Sequence, residues 1–311
     1  MKQTFLTKNW VVAGLAVICC VLWGSAITTI KTGYSLMAIS TDDTAAQIVF
    51  AGIRFTLAGI LVVLFACVRE RRLLLPSKTI IKLAFPLCLA QTVGQYFFFY
   101  VGVAHTSGVK SSILTGLGNF IAILLSCLIF RQEKMTRNKM IGCILGFAGV
   151  VVINLMGNQL DMGFGLAGEG ALLISQVAYA LSTVLINLFS KQESPVILSG
   201  YQFFIGGLIL TAIGIVMGGK LQQIPLSGAL VLLYLAFVSA VAYTLWSILL
   251  AYNPVSKVAI YGFVNPLCSV LLSAMILGET KQAFHAGSLI ALMLVCGGIY
   301  IVNKNHTKKI K

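Results

Sequence analysis

The sequence predicts an all-α membrane protein of ten transmembrane helices, arranged as two inverted five-helix repeats with both termini cytoplasmic. Three observations predict it. Of 311 residues, 59% are hydrophobic and 10% charged, with mean hydropathy +0.97, against about 25% charged in an ordinary soluble domain. The apolar residues gather into long runs separated by short polar connections. The two halves of the chain repeat each other's glycine and polar positions. So little charge cannot cover a water-facing surface, which excludes soluble enzymes, secreted disulfide scaffolds and disordered tails.

A hydrocarbon core of about 30 Å takes about 20 residues of apolar helix. Bounded by charges, prolines or glycine clusters, ten runs qualify: 11–30, 45–68, 80–102, 109–130, 137–156, 168–188, 195–217, 227–250, 256–277 and 284–302. They are continuous, unlike the alternating segments of about ten residues that mark a β-barrel. The first run lies behind Lys2 and Lys8 like a secretory signal. It extends to Ile30 and has a counterpart at 168–188, so it reads as an uncleaved helix.

The net charge of +14 is a matter of topology. With ten spans, the terminal side holds 17 of the 22 basic residues, in clusters at 69–82, 131–139 and the tail. The other side holds Lys31, Lys110, Lys220 and Lys281, and Arg54 stands alone inside a span. The positive-inside rule places the terminal side in the cytoplasm, hence a multi-pass protein of the cytoplasmic (inner) membrane. The basic residues then meet lipid headgroups, and no nucleic-acid partner is expected. All eight cysteines fall inside spans without CxxC spacing, so neither a disulfide nor a metal site is expected.

The repeat is read by alignment. At an offset of 146, Gly116 meets Gly262, Asn119 meets Asn265 and Glu133 meets Glu279. At 148, Gly52, Phe55 and Gly59 meet Gly200, Phe203 and Gly207, which sets Arg54 opposite Gln202. Trp23-Gly24 is echoed by Tyr179-Ala180. The halves divide at 1–157 and 158–311. Each holds an odd number of helices, so the second must enter from the opposite side. Its loops carry only Lys220 and Lys281 where the first half's carry nine basic residues, as inversion requires. Inverted repeats with a site at their interface are a common plan for secondary transporters.

Leu22-Trp23-Gly24-Ser25, Arg54-Phe55 and the segment from Asn265-Pro266 to Leu277-Gly278-Glu279 resemble the drug/metabolite transporter superfamily, in its EamA-type ten-helix branch. The resemblance covers nearly the whole chain. It implies export of amino acids, other small metabolites or drugs by alternating access, without an enzymatic step or a cofactor. Phe120 stands where the first half's pattern has proline, and Arg131-Gln132 replaces Leu-Gly before Glu133. Rocking is therefore expected to rest on Pro266.

Polar side chains in a span face the bundle interior or water. The polar stripes include Gln95 on the third run, Asn119 on the fourth, Gln176 on the sixth and Asn265 on the ninth. Arg54 can grip a carboxylate bidentately, or it can bond helix-end carbonyls or snorkel outward. Candidate substrate contacts are Trp23, Arg54, Gln95, Tyr96, Tyr100, Asn119, Gln176, Tyr179, Gln202, Trp246 and Asn265. Pro266, Glu133 and Glu279 are candidate gating or structural residues. The fifth and tenth runs lack polar stripes and are expected at the periphery. Gly142-x-x-x-Gly146 is a close-packing motif that leaves a homodimer open. No Gly-x-x-x-x-Gly-Lys-Ser/Thr run exists for ATP. The readings are a small-metabolite exporter, with a multidrug exporter as alternative, and from other classes a membrane scaffold or an intramembrane enzyme.

Overall fold

The computed structural model describes residues 5–40, 42–105, 108–155, 165–268, 272 and 286–304. No strand occurs among them. The helices are α1 (Asn9–Leu36), α2 (Thr44–Glu70), α3 (Lys78–Ala104), α4 (Gly108–Leu124, extended by a π turn over Leu125–Ile129) and α5 (Arg137–Leu155). They continue with α6 (Leu166–Phe189), α7 (Pro195–Val216), α8 (Leu226–Tyr252), α9 (Val255–Ala259, then a 3-10 turn over Ile260–Phe263 and helix again at 264–268) and α10 (Ala286–Lys304). Six of them, α1, α2, α3, α6, α7 and α8, are long and apolar enough to cross a membrane, and α4 and α10 contain shorter apolar stretches. The second half of the ninth run, with Glu279, lies outside the described residues.

Local chemistry sets the helix ends. Asp43 accepts from Ala46 N at 2.8 Å and starts α2. Ser77 accepts from Ile80 N at 3.1 Å and starts α3. Pro195 opens α7 from its first turn, where a missing N–H costs nothing. Inside α3, Pro86 lacks a donor and crowds the preceding turn, and the helix widens into a π turn over Cys88–Gln95. Gly94 closes this turn, since a Cβ there would stand 2.7 Å from Leu89 O.

Lipid tails supply no hydrophobic drive between helices, so small residues must let backbones approach. At Gly52 an added Cβ would lie 2.4 Å from Thr211 N, and at Gly59 2.3 Å from Phe204 N. From the other helix, Gly207 meets Thr56 N at 2.3 Å and Gly200 meets Val63 Cγ2 at 2.8 Å. As the α2 position climbs from 52 to 63, its α7 partner falls from 211 to 200 residue for residue, so the two helices run antiparallel. α5 and α10 do the same: Gly142 meets Val302, and Gly149 meets Val295. The Gly142-x-x-x-Gly146 motif is thus filled within the chain, Gly142 facing Val302 of α10 and Gly146 facing Phe263 of α9.

The other main pairings are α1 with α8, α3 with both α6 and α7, α2 with α8, and α4 with both α6 and α9. Large apolar side chains such as Leu64, Phe65, Phe237, Leu289 and Met293 point outward. The largest buried cluster gathers Val12, Ala16 and Cys19 of α1, Ile123 of α4, Val184 of α6, Trp246 and Leu249 of α8, and Val258 of α9. This plug lies toward the end where both described termini meet. There Asn253 Nδ2 donates to Leu6 O at 3.0 Å, Lys257 Nζ to Thr7 O at 2.6 Å and Asn138 Nδ2 to Ile301 O at 3.5 Å.

Candidate functional site: a central cavity above the plug

A cavity of about 170 Å³ opens between α1, α2, α3, α4, α6, α8 and α9. Among the described residues none of α5, α7 or α10 lines it, and the α5–α10 pair accords with the stripes missing from those helices. Of the residues singled out in the sequence, Trp23, Arg54, Gln95, Tyr96, Asn119, Gln176, Tyr179, Asn265 and Pro266 come together on its wall.

Arg54 is 2% exposed and does not snorkel. Its Nε donates to Ser239 Oγ of α8 at 2.9 Å, and its guanidinium carbon lies 5.2 Å from the Phe55 ring centroid. No carboxylate pairs with it among the described residues.

The aromatic wall is built in two steps. Trp23 packs on Tyr243 and Trp246 with ring centroids 5.0 and 5.1 Å apart. Tyr96, set by the π turn of α3, hydrogen-bonds Tyr243 through the two hydroxyls and packs on Phe55 at 4.4 Å. Opposite them, Tyr179 donates to Asn119 Oδ1 at 3.2 Å. Asn119 reaches this position because Gly262 faces it: a Cβ on 262 would lie 2.1 Å from Asn119 Oδ1. Gly118 makes the same room for Gln176, whose Oε1 would be 2.4 Å from an added Cβ. Three buried polar atoms of wall residues have no hydrogen-bond partner among the described residues: Gln95 Oε1, Asn265 Oδ1 and Trp23 Nε1.

Other singled-out residues stand apart from the cavity. Tyr100 is buried with Phe55, Phe203 and Tyr243. Gln202 spends both ends of its amide on the widened turn of α3, donating to Gln91 Oε1 at 2.7 Å and accepting from Thr92 Oγ1 at 3.0 Å. Trp246 sits below Trp23 in the plug. Glu133 lies at the terminal end of the bundle, in an ion pair of 2.7 Å with Lys139. Conversely, Tyr243, Thr115 and Phe99 line the cavity without having been singled out. Thr115 shares the α4 stripe with Asn119 and was legible there; Tyr243 and Phe99 look like any other aromatic of an apolar helix.

The EamA-like transporter family model matches the chain twice, over residues 10–155 and 166–304. The chain is 29% identical to the uncharacterized transporter YetK of Bacillus subtilis over 266 residues, covering 81% of this chain and 76% of that one. It is 27% identical to the uncharacterized inner membrane transporter YedA of Escherichia coli, covering 90% and 89%. A solved crystal structure superposes with a TM-score of 0.75 at 16% identity, covering 98% of this chain and 100% of that one, which shows a shared fold. With its apolar helices and a family match across both halves, the chain belongs to the EamA-like transporter family, a multi-pass membrane transporter and not an enzyme.

Proposed function

We propose that the protein is a secondary transporter that moves small metabolites, amino acids or similar carboxylates, across the cytoplasmic membrane by alternating access through the central cavity. Export is the direction proposed. The observation that carries the cargo is Arg54, a buried guanidinium on the cavity wall without a carboxylate partner. Two family matches in tandem support two repeats. The antiparallel α2–α7 and α5–α10 pairs, which are equivalent helices under the repeat, support their inversion. Exchanging the repeats also maps the α1–α8 pairing onto α6–α3.

Size separates this reading from the multidrug alternative. A cavity of about 150 Å³ holds a benzene-sized molecule, so about 170 Å³ suits a compact metabolite better than a drug. The aromatic wall of Trp23, Tyr96, Tyr179 and Tyr243 favours an apolar or ring-bearing side chain on that metabolite.

Reconstituted protein is expected to take up labelled amino or organic acids saturably. A hydrogen bond to a charged group contributes about 1.5–3 kcal/mol, so Arg54→Gln raises the half-saturation concentration about 10- to 100-fold. Uptake of carboxylates unchanged in a folded Arg54→Gln variant would return Arg54 to a structural role. Transport of bulky lipophilic compounds with no carboxylate transported would favour the multidrug reading.

A further inference from the structure

Glu133 holds one end of the bundle together. Its side chain is 8% exposed, and both oxygens are occupied: Ser256 N donates to Oε1 at 2.9 Å, Ser126 Oγ to Oε1 at 3.2 Å and Lys139 Nζ to Oε2 at 2.7 Å, while Ser256 Oγ also donates to Oε2. These donors come from three places, the end of α4, the start of α5 and the start of α9. Neighbouring bonds seal the same end. Gln132 Nε2 donates to Val184 O of α6 at 3.4 Å, and Asn187 Nδ2 of α6 donates to Asn253 O after α8 at 3.2 Å.

The helices that meet at Glu133 are irregular beside it. α4 ends in the π turn Leu125–Ile129, which contains Ser126. α9 changes to a 3-10 turn at Ile260–Phe263, four residues beyond Ser256, and then supplies Gly262, Asn265 and Pro266 to the cavity wall. A mid-helix 3-10 stretch is a common hinge. Latch, hinge and cavity wall thus follow one another within eleven residues of α9. Between Glu133 and the cavity lies the apolar plug. A buried ion pair is a poor way to gain stability but a geometry-specific link that can be broken and remade.

We propose that Glu133 is the latch of the gate on the terminal face, and that releasing Ser256 lets α9 swing at its 3-10 turn and opens the cavity to that face. The proposal rests on the transport reading, but its test requires no substrate. Cys19 and Cys20 sit in or beside the plug at 0% exposure, with their thiols donating to Ala242 O and Tyr261 O at 3.3 and 3.4 Å. An opened gate exposes them from one side only.

The experiment is labelling of the full chain in sealed vesicles by a small, charged methanethiosulfonate added at the terminal face, with modified cysteines assigned by peptide mass spectrometry. Glu133→Ala is expected to raise the rate at Cys19 or Cys20 about tenfold or more, the equivalent of one lost charged hydrogen bond. Glu133→Asp is expected to keep the rate near that of the unaltered protein, and Ser256→Ala to give an intermediate rate. Rates unchanged in Glu133→Ala would overturn the latch. A rise shared equally by Cys88, buried in α3 against Gly206 of α7, signals general loosening and overturns it as well. Should Glu133→Ala not fold, Ser256→Ala decides alone, a rise confined to Cys19 and Cys20 supporting the latch and no rise overturning it. Arg54→Gln uptake can fail while this gate stands, and the reverse, so the two readings fall separately.

Discussion

At the scale of single residues, Arg54 and Gln202, which the sequence alignment sets opposite each other, take two fates. Gln202 uses both ends of its amide on Gln91 and Thr92 and leaves the cavity to others, while Arg54 bonds Ser239 and stays on the wall. Gly262 is the sharper test of the wall's construction. Any side chain there collides with Asn119, whose Oδ1 would lie 2.1 Å from the new Cβ. Overpacking of this kind costs about 1–3 kcal/mol. Gly262→Ala is expected to lower the thermal midpoint in detergent and to weaken uptake, whereas Gly14→Ala, with open space around its Cβ position, should do neither.

Among the elements, α3 carries the clearest structure–function link. Pro86 stands two residues before the widened turn, which sends Gln91 and Thr92 to α7 and Gln95 and Tyr96 to the cavity. Pro86→Ala restores a backbone donor and a good helix former there, which is expected to tighten the turn. The expected result is an unchanged or higher thermal midpoint with uptake lowered about tenfold, because residues beyond the turn rotate about the helix axis. Equal loss of stability and uptake would instead make the turn a packing feature. Periodicity could not reveal this turn, since a π turn inserts its extra residue without changing composition.

For the whole molecule, the contrast is between a sealed terminal end and a cavity held above it. Burial pushes the Glu133 carboxyl up, but the Lys139 ammonium and the two Ser256 donors outweigh it and hold it below its ordinary value of 4.5. A carboxyl so depressed stabilises the seal above its unfolded value, and that contribution is lost as pH falls through the folded one. The ratio of the Glu133→Ala labelling rate to that of the unaltered protein at Cys19 and Cys20, which cancels the pH dependence of the thiolate, should therefore be flat between about pH 6 and 8 and fall toward one only in acid. A fall already at about pH 7 would show that the Lys139 and Ser256 donors do not hold the charge.

The sequence by itself determined the class and the apolar helices. Hydrocarbon leaves a chain no option but to close its backbone bonds within helices. It also brought forward nine of the residues now on the cavity wall, because a polar group in a span has few places to go. Tertiary structure decided which polar residues share that wall. Tyr100, Gln202 and Trp246 belong to packing and to helix-to-helix bonds, and Tyr243 joins the wall, because these placements depend on how a widened turn in α3 and glycine contacts between distant helices rotate each face. It also decided that Glu133 reaches α9, 123 positions away along the chain, a distance that no local spacing encodes.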